Sequence, residues 1–250
     1  MIVFGVCVSD EEQFAKYARP GIVRAAPAHP VVIERRGQKS IFSAYNSILQ
    51  EAQGVPDLEA LVLLHDDTEI LDDSLHAKLR ALFADESIGL AGAIGARGVT
   101  SLAWWEGDRR GRVIWNGPSL AHGPRVDDFG FETADVDCVD GLLLALSPWT
   151  VRNVAFDDEA FSGFHGYDVD FAFRVRQAGK RVVVSDLKLH HHDNSRHGFS
   201  DRPGFLRANI RWRAKWGFAS PTGVLFHLCS LALRSKASSA RMALGRATRR

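Results

Sequence analysis

Three groups of residues in this 250-residue chain have the types and spacing that chemistry needs. In the first, LVLLHDDTEI, an apolar run from Leu61 to Leu64 leads straight into His65, Asp66 and Asp67. Ligands of a parallel α/β sheet gather beyond the carboxyl ends of its strands, so charged side chains at such a point face a crevice. Carboxylates there suit a hard divalent cation, Mg2+ or Mn2+, bridging a diphosphate. Asp66 and Asp67 suit equally well the N-cap of a following helix.

The second group lies in FDDEAFSGFHGYDVDFAFRVRQAG, where Asp168 and Asp170 open a helical pattern containing Phe171, Phe173 and Val175. Acids in a first helical turn are stabilised by the helix dipole, which is one account of both. With His165, Gly163 and Gly166 beside them they also have the makings of a general-base site on a loop. The third group is DLKLHHHDNSRHG, in which successive histidines end an apolar alternation. Imidazole is a common metal ligand. Strand geometry puts His190 and His192 on one face and His191 on the other, so one ligand of the three is expected.

Short apolar runs at Ile2 to Val8, Val31 to Glu34, Leu58 to Leu64 and Ile88 to Ile94 read as strands buried on both faces. Helical patterns separate them. Ile41 to Ala52 follows a plausible cap at Ser40, and Leu75 to Phe83 follows Asp72 or Asp73. This alternation predicts a parallel sheet covered by helices. Residues 95–135, rich in Gly, Arg and Trp, show no sustained period and read as a functional loop. A strand at Cys138 to Leu146, a helix at Asp168 to Gln177 and a strand at Arg181 to Ser185 follow.

Composition narrows the class. Hydrophobic residues make up 46% and charged residues 24%, enough to bury a core. Cys7, Cys138 and Cys229 are odd in number and far apart, which fits neither a disulfide framework nor a zinc knuckle but a reducing cytoplasm. MIVFGVCVSDEE lacks the basic start of a secretory signal. The apolar run Val224 to Leu233 falls short of the roughly 20 residues a membrane span needs. The net charge of +1 conceals an acidic body and a basic end: no acid follows Asp201, whereas 11 of the 31 basic residues do.

Taken in order, the three groups resemble the GT-A glycosyltransferases, in particular the inverting family-2 branch. That branch has a strand ending in DxD, a later block close to ED-x-D-L-x-x-R, and a strand ending in His. His65, Asp66 and Asp67 match the first; Tyr167, Asp168, Val169, Asp170, Phe171, Arg174 and Gly179 match the second. The resemblance spans about residues 1–216, leaving 217–250 as a basic, partly amphipathic extension. It implies a Rossmann-like, mostly parallel sheet flanked by helices, with a helical basic tail. It implies a metal-dependent, inverting transfer of a hexosyl or deoxyhexosyl group from a nucleotide-diphosphate sugar to a hydroxyl acceptor. That acceptor would be a glycan, lipid-linked or a cell-wall polysaccharide precursor, and no nucleic acid is expected.

Carried over residue by residue, the resemblance makes Asp67 a metal ligand, with His65 beside it in the metal site and Asp66 near the ribose or phosphate. Glu34 would accept from the nucleobase, Asp140 would line the donor or acceptor pocket, and His190 would be a second ligand to metal or diphosphate. Asp168 would take the proton from the acceptor, with Asp170 as the alternative base. Two departures stand out: His65 replaces the first Asp of DxD, and Tyr167 replaces the usual Glu. Ala208 stands where the processive synthases carry the Gln of QxxRW, ahead of Arg211 and Trp212. The rival readings are a nucleotidyltransferase, which VCVSDEEQF does not favour because it lacks a Gly-rich phosphate loop, and a non-catalytic nucleotide-sugar or carbohydrate-binding module. Aromatic and basic residues from Phe205 to Trp216, with the tail beyond, suggest a peripheral location on an anionic membrane at its inner face. The same residues suit a helix packed on the acidic body.

Overall fold

The computed structural model describes residues 1–26, 30–116, 123–192 and 201–218. Its strands are β1 (Ile2–Val8), β2 (Val31–Arg36), β3 (Ala60–His65), β4 (Thr68–Ile70), β5 (Ile88–Gly92), β6 (Ile94–Arg97), β7 (Asp108–Asn116), β8 (Arg125–Phe129), β9 (Ala134–Asp135), β10 (Cys138–Val139), β11 (Leu143–Leu146), β12 (Arg181–Val184) and β13 (Leu189–His192). Helix α1 (Glu11–Gln13) continues through a π-helical stretch (Phe14–Ala18) into α2 (Arg19–Ala25). The other helices are α3 (Ile41–Gln53), α4 (Leu75–Phe83), α5 (Pro148–Asn153), α6 (Tyr167–Gln177) and α7 (Arg202–Lys215).

A seven-stranded sheet runs β2-β1-β3-β11-β5-β12-β9. β1 pairs in parallel with β2 and β3, and β5 with β12, while β11 lies antiparallel between β3 and β5. Its central strands are apolar without alternation because both faces are covered; Leu61, Val62, Leu63 and Leu64 of β3 are fully buried. Helix α3 lays Tyr45, Ile48 and Ala52 against this layer. This is the expected mixed α/β architecture, with β11 and the edge strand β9 running against the other strands of the sheet.

A second sheet, β10-β6-β7-β13-β4 with β8 beside β7, is joined to the first by direct crossings of the chain. β3 passes to β4 through Asp66 and Asp67, and β10 passes to β11 through Asp140 and Gly141. Both turns carry acidic residues at the junction of the two sheets.

Several sequence expectations are corrected here. The described residues between 95 and 135, namely 95–116 and 123–135, are not one irregular loop: they supply β7, β8 and β9 and the end of β6. Their strands are largely solvated ladders with Arg and Asp outward, so neither an apolar run nor a clean alternation marks them. The single strand expected at Cys138 to Leu146 is two, split where the chain changes sheets. Ser40 holds the N-cap position of α3, but its side chain caps nothing. Asp72 precedes α4 by turning back on Ser74, accepting from its amide at 3.0 Å and its hydroxyl at 2.6 Å.

The aromatic residues of α7 point into the protein. Trp212 is 0% exposed and meets Phe173 edge-on at 4.9 Å, and Trp216 lies 5.3 Å from the same ring. Phe205 stacks on Trp105. Packing on the acidic body therefore accounts for these rings, which removes them from the argument for a membrane surface. The extension expected at 217–250 lies outside the described residues from 219 onward, as does Cys229. Among the described residues no helix is long and apolar enough to cross a membrane.

Candidate active site

Strand β3 delivers His65, Asp66 and Asp67 to the junction of the two sheets, and each takes a different direction. Asp66 turns back to the end of β1, where its Oδ2 accepts from the Ser9 amide (2.6 Å), the Ser9 hydroxyl (2.9 Å) and the Asp10 amide (2.8 Å). Asp10 in turn caps α1, accepting from the amides of Glu12 and Gln13. Asp66 thus locks two neighbouring strand ends together. Because β4 and not a helix follows, neither Asp66 nor Asp67 caps a following helix.

Asp67 faces β13. Its Oδ1 is buried without a hydrogen bond of good geometry, yet His191 Nε2 lies 3.2 Å away and His65 Nδ1 3.9 Å away. One ligand atom from each of these residues lies within 4.8 Å of the other two. Burial alone would push the Asp67 carboxyl up, but the two imidazoles outweigh it and hold it at about 2. Burial also holds the His65 imidazole below its usual range. An ionised carboxylate whose buried Oδ1 makes no hydrogen bond of good geometry, with two imidazoles beside it, fits a divalent cation. Relative to a DxD site, this set trades one carboxylate for nitrogen.

Helix α6 brings the second group to the same junction. Gly166, at φ +78, precedes it, and a Cβ there would fall 2.6 Å from the Leu102 side chain, so only glycine serves. Asp168 Oδ2 accepts from the Gly141 amide at 3.1 Å and Oδ1 from the Val169 amide at 2.9 Å. Burial, then the nearby Asp140 charge, push the Asp168 carboxyl up to about 6. Asp140, whose Oδ1 accepts from the Leu142 amide at 3.0 Å, is raised as well, chiefly by burial. The Tyr167 hydroxyl hydrogen-bonds His65 Nε2. The phenol that replaces the family's usual Glu thus ties the start of α6 to the metal-type cluster.

The remaining expected residues lie apart. Asp170 faces α7, where Lys215 Nζ is 2.8 Å from both of its oxygens and Trp216 Nε1 donates to Oδ1 at 2.8 Å. Glu34, on β2, pairs with Arg36 at 2.7 Å and Arg19 at 3.4 Å. His190 is on the far face of β13 from Asp67, with Glu69 and His192. The histidine that faces Asp67 is His191, one residue from the position expected.

A family model described as "Glycosyltransferase like family" matches residues 3–200. The chain belongs to this family. Within the glycosyltransferases its fold is of the GT-A type. The chain is 37% identical over 224 residues to the "Streptomycin biosynthesis protein StrF" of Streptomyces griseus, covering 88% of this chain and 76% of that protein. Among solved structures it is similar to "GalNAc-T7 with UDP, GalNAc and Mn2+", with a TM-score of 0.52, 8% identity, and coverage of 78% of this chain and 44% of that one. It is also similar to "A197 from STIV", with a TM-score of 0.47, 14% identity, and coverage of 78% and 87%.

In this glycosyltransferase-like chain, the sequence left open which of His190, His191 and His192 faces Asp67, and it gave no sign of the bond between Tyr167 and His65. The HHH run announced a ligand, but which face meets Asp67 depends on the antiparallel pairing of β13 with β4, which sets His191 opposite Thr68. That pairing has no local signal. The Tyr167 contact joins residues 102 positions apart.

Proposed function

We propose that the protein is a metal-dependent, inverting glycosyltransferase that moves a hexosyl or deoxyhexosyl group from a nucleotide-diphosphate sugar to a hydroxyl of a glycan-class acceptor. The observation that supports this reading best is that Asp168, with its raised carboxyl, and the Asp67, His191 and His65 set share one sheet junction. The fold likeness to a protein solved with UDP, GalNAc and Mn2+ agrees with it.

In this reading Asp67, His191 and His65 hold the cation, and two imidazoles with one carboxylate favour Mn2+ over Mg2+. When bound, the cation supplies positive charge to the departing diphosphate. The protein's own residues do the rest. Asp168, held by the Gly141 and Val169 amides, accepts the proton of the attacking hydroxyl as its oxygen bonds to the anomeric carbon. The bond from that carbon to the diphosphate oxygen breaks in the same displacement, so configuration inverts and no covalent enzyme intermediate forms. Tyr167 keeps His65 in place through the reaction. Asp66 holds the β1 and β3 ends around the nucleotide, and Glu34 is available to the base only in competition with Arg36.

The test is incubation of the protein with UDP, dTDP and GDP sugars, with and without Mn2+. Mn2+-dependent release of nucleotide, with an inverted anomeric centre by NMR, supports the reading. Tight donor binding without turnover for every donor would leave a nucleotide-sugar-binding module instead.

A further inference from the structure

We propose that Glu69, His190 and His192 form a second divalent-cation site, of the zinc type, on the face of β13 opposite the active site. It is separate from the Asp67 set and does not rest on the reading of that set. β13 runs antiparallel to β4 with His190 directly across from Glu69. Strand alternation places His192 on the same face, and the two imidazole rings lie 3.8 Å apart between centroids. One ligand atom from each residue lies within 4.8 Å of the other two. Bonds of about 2.0–2.2 Å from nitrogen and carboxylate oxygen bring three such atoms onto a single Zn2+ with small side-chain adjustments.

The second observation is unsatisfied polarity. His190 Nε2 is buried and has no hydrogen-bond partner, and the His192 side chain, whose Nε2 faces Glu69, is only 10% exposed. Leaving such an atom buried and unpaired costs about 1–3 kcal/mol. A proton is a poor remedy, since two imidazolium rings 3.8 Å apart would repel. Neutral rings present lone pairs, the form a metal takes.

The surroundings orient these donors. Arg24 Nη1 holds Glu69 Oε1 at 3.1 Å and is itself anchored on the Ile70 carbonyl at 2.7 Å. Glu69 Oε2 is left on the histidine side, 3.0 Å from His192 Nε2. Tyr17 stacks on the His192 ring at 3.6 Å and an interplanar angle of 7°. Partners of this kind fix the rotamers of metal ligands. The Arg24 charge disfavours an ion bound by carboxylate alone, so the two nitrogens decide the selectivity, toward Zn2+ and away from Mg2+ or Ca2+. Such an ion would clamp β4 to β13 and steady His191, which lies between the two ligand histidines.

The test is Zn2+ stoichiometry on the untagged, chelator-stripped full-length protein, read by elemental analysis and chelator competition. Wild type is expected to hold about two equivalents, and Glu69→Gln and His190→Gln about one, with circular dichroism confirming their folds. Asp67→Asn should keep the equivalent that Glu69→Gln loses, and added Zn2+ should raise its Tm but not that of Asp67→Asn/His190→Gln. Wild type holding no Zn2+, or a single equivalent that Asp67→Asn removes, overturns the proposal. So does retention of both equivalents by Glu69→Gln and His190→Gln. A wild type whose single equivalent survives Asp67→Asn and is lost in Glu69→Gln upholds this site and counts instead against the active-site metal.

Discussion

Lys215 Nζ lies 2.8 Å from each carboxylate oxygen of Asp170, and this pairing separates two acids that the sequence places two residues apart. Asp170 is 0% exposed and bound to α7, whereas Asp168 lies with Asp140 and Gly141. Asp168→Asn should therefore keep donor affinity and lose about 10²-fold or more in kcat. Asp170→Asn leaves Lys215 with Asp157 alone and removes a buried charge-assisted contact, which should cost about 1–3 kcal/mol in urea unfolding. Titration of UDP by calorimetry and steady-state kinetics separate the two. A kinetically dead, fully stable Asp170→Asn would exchange the roles.

The raised carboxyl of Asp168 predicts a pH signature. Its folded value of about 6 lies above the unfolded value near 4, so the protonated form is favoured in the fold. The resulting stabilisation is complete below about pH 4 and is lost as pH rises through about 6. Asn carries no such loss. In metal-free protein, the stability of Asp168→Asn relative to wild type should rise by on the order of 2 kcal/mol between pH 4 and pH 8. A difference independent of pH, from urea melts at the two values, would contradict the shift.

Asp66 and Asp67 should behave oppositely although they are adjacent. Asp66→Ala removes the acceptor of three hydrogen bonds that join the ends of β1 and β3, and should cost about 3 kcal/mol. Asp67→Ala removes a carboxylate with no hydrogen bond at Oδ1, so the fold should hold while Mn2+-dependent binding of UDP falls sharply. Thermal melts and calorimetry on the pair decide the matter. Unchanged nucleotide affinity in Asp67→Ala would remove Asp67 from the metal site.

Gly141 is the tightest point between the two acidic turns. A Cβ there would stand 1.9 Å from the Tyr167 hydroxyl oxygen and 2.4 Å from its Cζ. Gly141→Ala should displace Tyr167 from His65, at a cost of about 1–3 kcal/mol in stability. Tyr167→Phe should lose the His65 bond without the clash, so it should keep more stability than Gly141→Ala while weakening Mn2+ affinity. Equal stability of the two variants would show that this approach is relieved by backbone movement.

The sequence by itself determined the layers of this protein and the points where its chemistry gathers. Apolar runs such as Leu61 to Leu64 can be buried only as inner strands, and an acid directly after such a run must stand at a sheet end. The amphipathic stretch at Ile41–Gln53 likewise had to cover the sheet. These are local constraints, legible because each residue's neighbours in sequence set its periodicity. Tertiary structure decided which members of each group meet. The pairing of β13 with β4 chose His191 for Asp67 and gave His190 to Glu69. The docking of α7 took Asp170 for Lys215 and left Asp168 beside Gly141. The return to β1 claimed Asp66 for Ser9 and Asp10. Each choice depends on strand register or on a contact between residues far apart in the chain. A one-residue shift of register reverses every side chain of a strand while leaving its hydrophobic pattern almost unchanged when both faces are buried.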